Sequence, residues 1–138
     1  MRNVFAVMLG AMVAFGLVSV SDAMAGTLFA LPTGLDPANP ATKVALEAAI
    51  AKAPLNAMLA MVAGYFLAAF GGGFIARKIA SAKTIRPSLM VGLLVLAATL
   101  LNFAMLKHPT LMVVLGALAP MPGAWMGARV ATMGTATT

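Results

Sequence analysis

The sequence predicts an all-α membrane protein: a four-transmembrane-helix bundle with a short outer amphipathic helix. Of its 138 residues, 62% are hydrophobic and only 9% are charged, whereas a soluble domain carries about 25% charged residues. Four uncharged apolar stretches each approach the roughly 20 residues that a helix needs to cross a bilayer. They lack the alternation of strands, and a helix pairs its own backbone groups in lipid. We therefore expect one integral membrane domain, 1–138.

The four predicted spans cover residues 4–20, 55–76, 88–106 and 111–128, and the outer connection covers residues 21–53. Within that connection, Gly34 and Asp36, flanked by prolines, predict a turn, and Asn39 followed by Pro40 is typical of a helix N-cap and first helical residue. The following Ala-rich stretch carries Leu46 and Ile50 on one face, which predicts a short amphipathic helix. We favour a simple connector, with a lid or partner-docking helix as the alternative.

The first apolar segment has two interpretations. A short basic start, an apolar run and the triplet Ala23-Met24-Ala25 match a secretory signal with its cleavage site. In contrast, Ala6, Gly10 and Ala14 repeat the small-residue spacing of a packed transmembrane helix. We favour a retained span, with a cleaved signal as the alternative, and either leaves the other predicted spans unchanged.

The most prominent pattern in the chain is a row of small residues, spaced four apart, on the second span. In lipid such residues allow two helix backbones to approach closely, so the row is predicted to lie against another helix. It comprises Ala60, Gly64, Ala68, Gly72, Ala76 and Ala80. The fourth span carries a second row that includes Gly123 and Gly127, beside Pro120 and Pro122, which are predicted to kink that helix.

The basic residues are unequally distributed between the two predicted sides of the membrane. Six of the nine fall on one side: Arg2, Arg77, Lys78, Lys83, Arg86 and Arg129. By the positive-inside rule this side is cytoplasmic, so both termini are expected in the cytoplasm, in a bacterial inner membrane. The net charge of +6 then reflects topology and not a nucleic-acid partner.

The basic connection between the second and third spans also indicates a contact with lipid. Clusters of basic residues beside a span attract anionic headgroups. The candidate headgroup-binding residues are Arg77, Lys78, Lys83 and Arg86. The same residues can equally serve only to set the topology.

The sequence contains no catalytic, cofactor-binding or metal-binding constellation. With no Cys, one His and three acids, it assembles neither a nucleophile–base pair nor a metal site. We expect no enzymatic activity and no cofactor. Asn56, Asn102 and His108 are the candidates for polar contacts: the two amides across helices, and His108 in the hairpin between the last two spans.

Three short motifs give the chain a resemblance to a known family. They are Pro32-x-Gly34-x-Asp36-Pro37, Gly72-Gly73-x-x-Ala76-Arg77 and His108-Pro109. On these motifs the chain resembles a family of uncharacterised small bacterial inner-membrane proteins with four spans. The resemblance implies a retained first span and an integral membrane location, and no established activity. Similar proteins carry an acid within the first span, and the nearest acid here is Asp22.

Two classes of function remain open from the sequence. A structural or accessory protein would pack against itself or a larger membrane complex, and the rows of small residues favour this interpretation. A minimal four-span transporter or channel, in dimeric form, is the alternative. Proton- or cation-coupled carriers need an ionisable group within the bilayer, and the interior of the predicted spans contains none.

Overall fold

The chain folds as an all-α membrane bundle, as predicted. The computed structural model describes residues 1–28, 34–36, 38–80 and 84–133. Its helices are α1 (Arg2–Leu28), α2 (Pro40–Ala51), α3 (Leu55–Ile79), α4 (Arg86–Met105), α5 (Thr110–Leu118) and α6 (Pro120–Met133). Helices α1, α3 and α4 are each long and apolar enough to cross a membrane, and α5 and α6 together form the fourth such unit.

Helix α3 lies at the centre of the bundle. Its most extensive contacts are with α1 and α6, and both of these helices also touch α4. Within the described residues α1 and α6 do not touch each other, so they pack on opposite sides of the α3–α4 pair. The short helix α2 makes no close backbone contact with any of the other described helices.

The outer connection follows its predicted local chemistry where the structure describes it. The Asn39 side chain accepts a hydrogen bond of 3.0 Å from the Ala41 amide, and Pro40 is the first helical residue of α2. Gly34 adopts a φ of 80°, which glycine reaches without steric penalty. Asp36 Oδ1 accepts a hydrogen bond of 2.8 Å from the Ala38 amide, as expected for an Asx turn. Pro32 and Pro37 lie outside the described residues.

Helix α1 continues beyond the apolar stretch from which the first span was predicted. It ends at Leu28 instead of residue 20, so Asp22 is inside the helix. The helix can continue because Ser21 fits against Gly64 of α3 and Ala25 is buried, while the intervening residues carry no proline. A prediction based only on apolar character ended the span at the first polar pair.

The fourth unit is broken where its prolines predict a break. Helix α5 ends at Leu118 and α6 begins at Pro120, with Ala119 between them. Proline has no backbone N–H to donate and its ring clashes with the preceding turn. The break therefore follows from Pro120 itself.

The helices approach most closely at glycines. A Cβ placed on Gly10 would lie 2.6 Å from the Gly72 carbonyl oxygen, and one on Gly72 would lie 2.5 Å from the Gly10 carbonyl oxygen. On the other side of α3, Gly123 and Gly127 face the backbone carbonyls of Phe66 and Phe70. Any side chain at these positions would push the helix axes apart.

The row of small residues on α3 is thus used inside the chain for most of its length. Its members Gly64, Ala68, Gly72 and Ala76 are buried. The first member, Ala60, is exposed, and Ala80 follows the end of the helix. The packing partners of the buried members belong to the same chain.

The two ends of the bundle differ in their polar contacts. At the end where α1 begins, which we call the basic end, Arg2 Nε donates a hydrogen bond of 2.9 Å to the Ile79 carbonyl of α3. Nearby, the buried Ser88 hydroxyl of α4 donates a bond of 2.7 Å to the Gly73 carbonyl. At the opposite end, which we call the α2 end, the Lys107 amide donates a bond of 3.3 Å to Glu47 Oε1.

Candidate functional site

Two neighbouring cavities at the α2 end form the candidate site. The first, the seam cavity, has a volume of about 200 Å³ and lies between α1, α3 and α4. Its polar lining residues are Asp22, Tyr65, Thr99 and Asn102. The second, the vestibule, has a volume of about 380 Å³ and lies beneath α2. Asp22 and Asn102 line both cavities, so they stand where the two cavities meet.

Asp22 is the most unusual residue of this site. It lies within a helix that is long and apolar enough to cross a membrane, and its side chain remains exposed toward the cavities. Among the described residues its carboxylate has neither a hydrogen-bond partner nor an ion-pair partner. Ionisable side chains in such helices are costly and usually mark a solute or ion pathway. Asp22 is therefore the first residue to test for function.

Tyr65 and its aromatic neighbours line one wall of the site. The Tyr65 ring meets Phe103 edge-on at 6.5 Å between centroids, and Phe103 meets His108 in the same way at 4.9 Å. Gly116 leaves room for Phe103, because a Cβ there would lie 2.7 Å from the Phe103 ring. His108 Nδ1 lies 2.7 Å from the Leu106 carbonyl oxygen. This series of rings extends from the seam cavity to the vestibule.

The polar groups contributed by α4 complete the seam cavity. The buried Thr99 hydroxyl donates a hydrogen bond of 2.9 Å to the Val95 carbonyl, so its oxygen can still accept one. The Asn102 side-chain amide makes no hydrogen bond within the described residues, and it faces both cavities. The described lining residues of the two cavities include no Lys or Arg. The site therefore presents oxygen atoms and one carboxylate without a balancing Lys or Arg.

The site extends along a considerable part of the bundle. At a rise of about 1.5 Å per residue, Tyr65 lies roughly 18 Å along α3 from Arg77, and Asp22 lies roughly 30 Å along α1 from Arg2. A bilayer core is about 30 Å thick. If the basic end marks one face of the membrane, the site runs from near the midplane to the opposite face.

The predicted polar residues have different surroundings. His108 and Asn102 line the vestibule, whereas Asn56 is exposed and its Oδ1 accepts a bond of 3.0 Å from the neighbouring Ala57 amide. The bond that Asn56 makes is local, and the expected contact from this residue to another helix is not found among the described residues. Tyr65 and Thr99 were not predicted as site residues, because a single tyrosine or threonine in an apolar helix carries no recognisable spacing.

The predicted headgroup-binding residues are also separated by the structure. Arg77 lines a pocket at the basic end together with Arg129. Lys78 lies over the Phe74 ring at 5.7 Å, and Arg86 lines a separate apolar groove of about 750 Å³ between α1 and α4. Lys83 lies outside the described residues. The three described side chains therefore have different surroundings at the basic end.

Neither a metal centre nor a known relative guides the interpretation of these cavities. The part of the chain that the structure describes contains no group of three or more His, Cys, Asp and Glu side chains that could hold a metal ion. Comparisons with protein-family models, with curated proteins and with solved structures found no match. What the cavities can bind therefore has to be inferred from their shape, charge and lining.

Proposed function

We propose that this protein is a small carrier or channel of a bacterial inner membrane and that the cavities around Asp22 bind a small cationic solute. The observation that supports this proposal is the position of Asp22. Its carboxylate has no ion-pair partner in the described residues, lies in a potential membrane span and lines both cavities. Because α1 continues through Asp22, this acid belongs to a potential membrane span, and that position supports a carrier or channel.

The charge and lining of the cavities favour a cation over an anion or a neutral solute. Asp22 supplies the single negative charge, and no Lys or Arg of the described lining offsets it. Phe15 and Tyr65 border the seam cavity, and aromatic faces attract organic ammonium groups. The vestibule adds apolar side chains such as Met58 and Met112. A monovalent organic cation matches this combination of one carboxylate, aromatic rings and apolar walls.

Helix α2 is the natural lid of the vestibule. Leu46 and Ile50 of α2 line this cavity, while none of the residues of α2 is buried. Its link to the rest of the bundle includes the hydrogen bond between Glu47 and the Lys107 amide. Because α2 makes few contacts with the rest of the bundle, its displacement would open the vestibule. We therefore extend the proposal: α2 acts as a gate, and not only as a connector.

The proposed orientation places the basic end and both termini in the cytoplasm and the vestibule on the opposite face. It rests on the excess of Lys and Arg at the basic end. Reporter fusions after Thr138 and within α2 at Lys43 should report opposite sides of the membrane. Reporters on the same side would contradict the four-span topology.

The proposal also requires that the first helix stays attached to the mature protein. Cleavage after Ala25 would remove Phe15, Val18 and Asp22, and with them one wall of the seam cavity. The intact mass of membrane-extracted protein should therefore correspond to a chain that retains residues 1–25. A mature chain that begins at Gly26 would exclude Asp22 as a binding residue.

The proposal is tested by binding and flux of a defined cation. We would measure tetraethylammonium binding to purified protein and its uptake into proteoliposomes, for the wild type, Asp22→Asn and Asp36→Asn. Asp22→Asn should abolish both activities, because the amide keeps the shape and removes the charge. Asp36→Asn is the matched control, since it removes an acid from the same end outside the cavities. Equal behaviour of the two variants, or no wild-type binding, would refute the proposal.

An accessory role is the second candidate, and one observation favours it. Asp22 and Asn102 are both exposed where the seam between α1 and α4 opens, and a polar helix of a partner could cover them there. The rows of small residues no longer support a partner, because their buried members pack inside the chain. Loss of a co-purifying membrane protein in Asp22→Asn, without cation flux in the wild type, would favour this candidate.

A further inference from the structure

A pocket at the basic end brings two arginines together. It has a volume of about 250 Å³ and lies between α3, the start of α4, and α6. Arg77 comes from α3 and Arg129 from α6, and Ile85, Ala128 and Thr132 complete the lining. Ala128 is only 2% exposed, so the pocket has a closed floor. Two arginines from different helices thus line one concave site.

The acidic side chains of the chain lie far from this pocket. There are three acids in the sequence: Asp22, Asp36 and Glu47. Asp22 lines the cavities at the α2 end, Asp36 precedes α2 and Glu47 lies on it. The described lining of the pocket therefore holds two arginines and no acidic side chain, and a cleft lined by one sign of charge concentrates ions of the opposite sign.

We propose that this pocket binds a phosphate group, and specifically the phosphate of an anionic phospholipid. Guanidinium groups match phosphate oxygens with two parallel hydrogen bonds and remain charged at any physiological pH. Basic pockets between transmembrane helices at the cytoplasmic face are suited to anionic headgroups. We assign the phosphate to a lipid because the pocket lies at the end of a membrane bundle, at the level of the Trp125 indole ring.

Trp125 holds one of the two arginines in place. The Arg129 guanidinium lies over the indole ring at 5.0 Å, and Trp side chains favour the headgroup level of a bilayer. The Thr132 hydroxyl donates a hydrogen bond of 2.7 Å to the Arg129 carbonyl, which fixes the last turn of α6 beside the pocket. A guanidinium that is already positioned loses less freedom when it binds an oxyanion.

This pocket changes which residues are assigned to the lipid. From the sequence, the headgroup residues were the basic residues of one connection. In the structure Arg77 instead lines a pocket together with Arg129 of α6, which is far away in sequence. Lys78 lies over the Phe74 ring. Lys78 is therefore the matched control for Arg77: it is the next residue, has the same charge and lies outside the pocket lining.

The experiment compares lipid retention in native mass spectrometry and thermal unfolding in a neutral detergent. Wild-type protein should retain dioleoylphosphatidylglycerol in preference to dioleoylphosphatidylcholine and should unfold at a higher temperature with the former lipid. The double variant Arg77→Gln/Arg129→Gln should bind the anionic lipid about tenfold more weakly, which corresponds to about 1.4 kcal/mol. Lys78→Gln should behave as the wild type.

Two outcomes would overturn the proposal. Equal retention of the two lipids by the wild type would exclude an anion site. Equal losses of anionic-lipid affinity in the double variant and in Lys78→Gln would show that net charge, and not the pocket, attracts the lipid. A parallel titration with inorganic phosphate identifies the source of the anion. Phosphate that binds while the anionic lipid does not would refute the lipid assignment.

A measurement on the unmodified protein covers the case in which the double variant does not fold. Phenylglyoxal modifies accessible arginines, and peptide mass spectrometry locates each modified residue. Phosphatidylglycerol should protect Arg77 and Arg129 more than Arg2 and Arg86, whereas phosphatidylcholine should protect all four to the same extent. Uniform protection of the four arginines by phosphatidylglycerol would contradict the proposed pocket.

Discussion

Helix α1 packs on its two neighbours in different ways. Against α3 it places Ala6, Gly10 and Ala14, of which both alanines are fully buried, and the backbones meet at Gly10 and Gly72. Against α4 it encloses an apolar groove at the basic end and the seam cavity toward the α2 end. The first interface brings the two backbones into close contact, and the second encloses cavities with polar groups in their lining.

The difference shows how a small membrane protein can combine close helix packing with a candidate binding site. In lipid, helices associate through close van der Waals packing, for which small residues are best suited. The α1–α3 and α3–α6 interfaces use this packing and hold three helices in fixed positions. Helix α4 is joined to α1 less closely, and the polar residues gather where that packing is incomplete.

The largest expected effect is on the tight interface. Gly72→Leu places a side chain where even a Cβ would be 2.5 Å from the Gly10 carbonyl oxygen. Because backbone cannot move aside as a flexible side chain can, we expect a loss of about 3 kcal/mol in unfolding free energy, at the upper end of overpacking effects. The measurement is reversible unfolding in mixed detergent micelles.

A glycine on the same pair of helices provides the control. A Cβ placed on Gly16 of α1 would have no neighbouring atom within 4 Å, so Gly16→Leu should leave stability nearly unchanged. Gly64→Leu should fall between the two variants, because its nearest neighbours are the Cβ and Oγ of Ser21, at 2.7 and 2.9 Å. Equal stability of all three variants would contradict the close approach of α1 and α3 at Gly10 and Gly72.

A smaller effect is expected where α4 is tied to α3. Ser88→Ala removes the buried hydrogen bond of 2.7 Å to the Gly73 carbonyl. Such bonds between membrane helices contribute about 0.6 kcal/mol on average and at most about 1.7 kcal/mol, so unfolding should become easier by that amount. Ser19→Ala is the control, because the Ser19 hydroxyl is exposed and bonds within its own helix. An equal loss in both variants would argue against a specific α3–α4 tie.

The smallest effect on stability is expected within the seam cavity. Thr99→Val removes a hydroxyl that bonds the Val95 carbonyl of its own helix, and such bonds do not strengthen a helix. We expect the unfolding free energy to change by less than the roughly 0.6 kcal/mol of an average hydrogen bond between membrane helices. Tetraethylammonium affinity should nevertheless fall, because the cavity loses an oxygen. A large loss of stability with unchanged affinity would make Thr99 a packing residue.

Local chemistry and helical periodicity made part of this fold predictable. The Asn39 cap, the turn at Gly34 and the break at Pro120 each depend on a residue and its immediate neighbours. The apolar stretches similarly predicted the four long helices. These features require no knowledge of which helix lies beside which.

The candidate site was not predictable in the same way. Asp22, Tyr65 and Asn102 belong to three helices and become neighbours only when the bundle assembles. In addition, an apolar criterion ended the first span before Asp22, although the helix continues because Ser21 packs on Gly64. A polar residue near the end of an apolar stretch needs its tertiary neighbours before its depth can be assigned.

The central position of α3 also affects the order in which the bundle can assemble during synthesis, because α1 and α3 precede α4 in the chain. All contacts between α1 and α3 are made by the first 79 residues, so this pair can assemble before α4 joins it. In a pair of α1 and α3 alone, Asp22 lies beside Tyr65 without the wall that Thr99 and Asn102 of α4 supply. An acid of a potential membrane span is therefore uncovered in such a pair until α4 packs against it and closes the seam cavity.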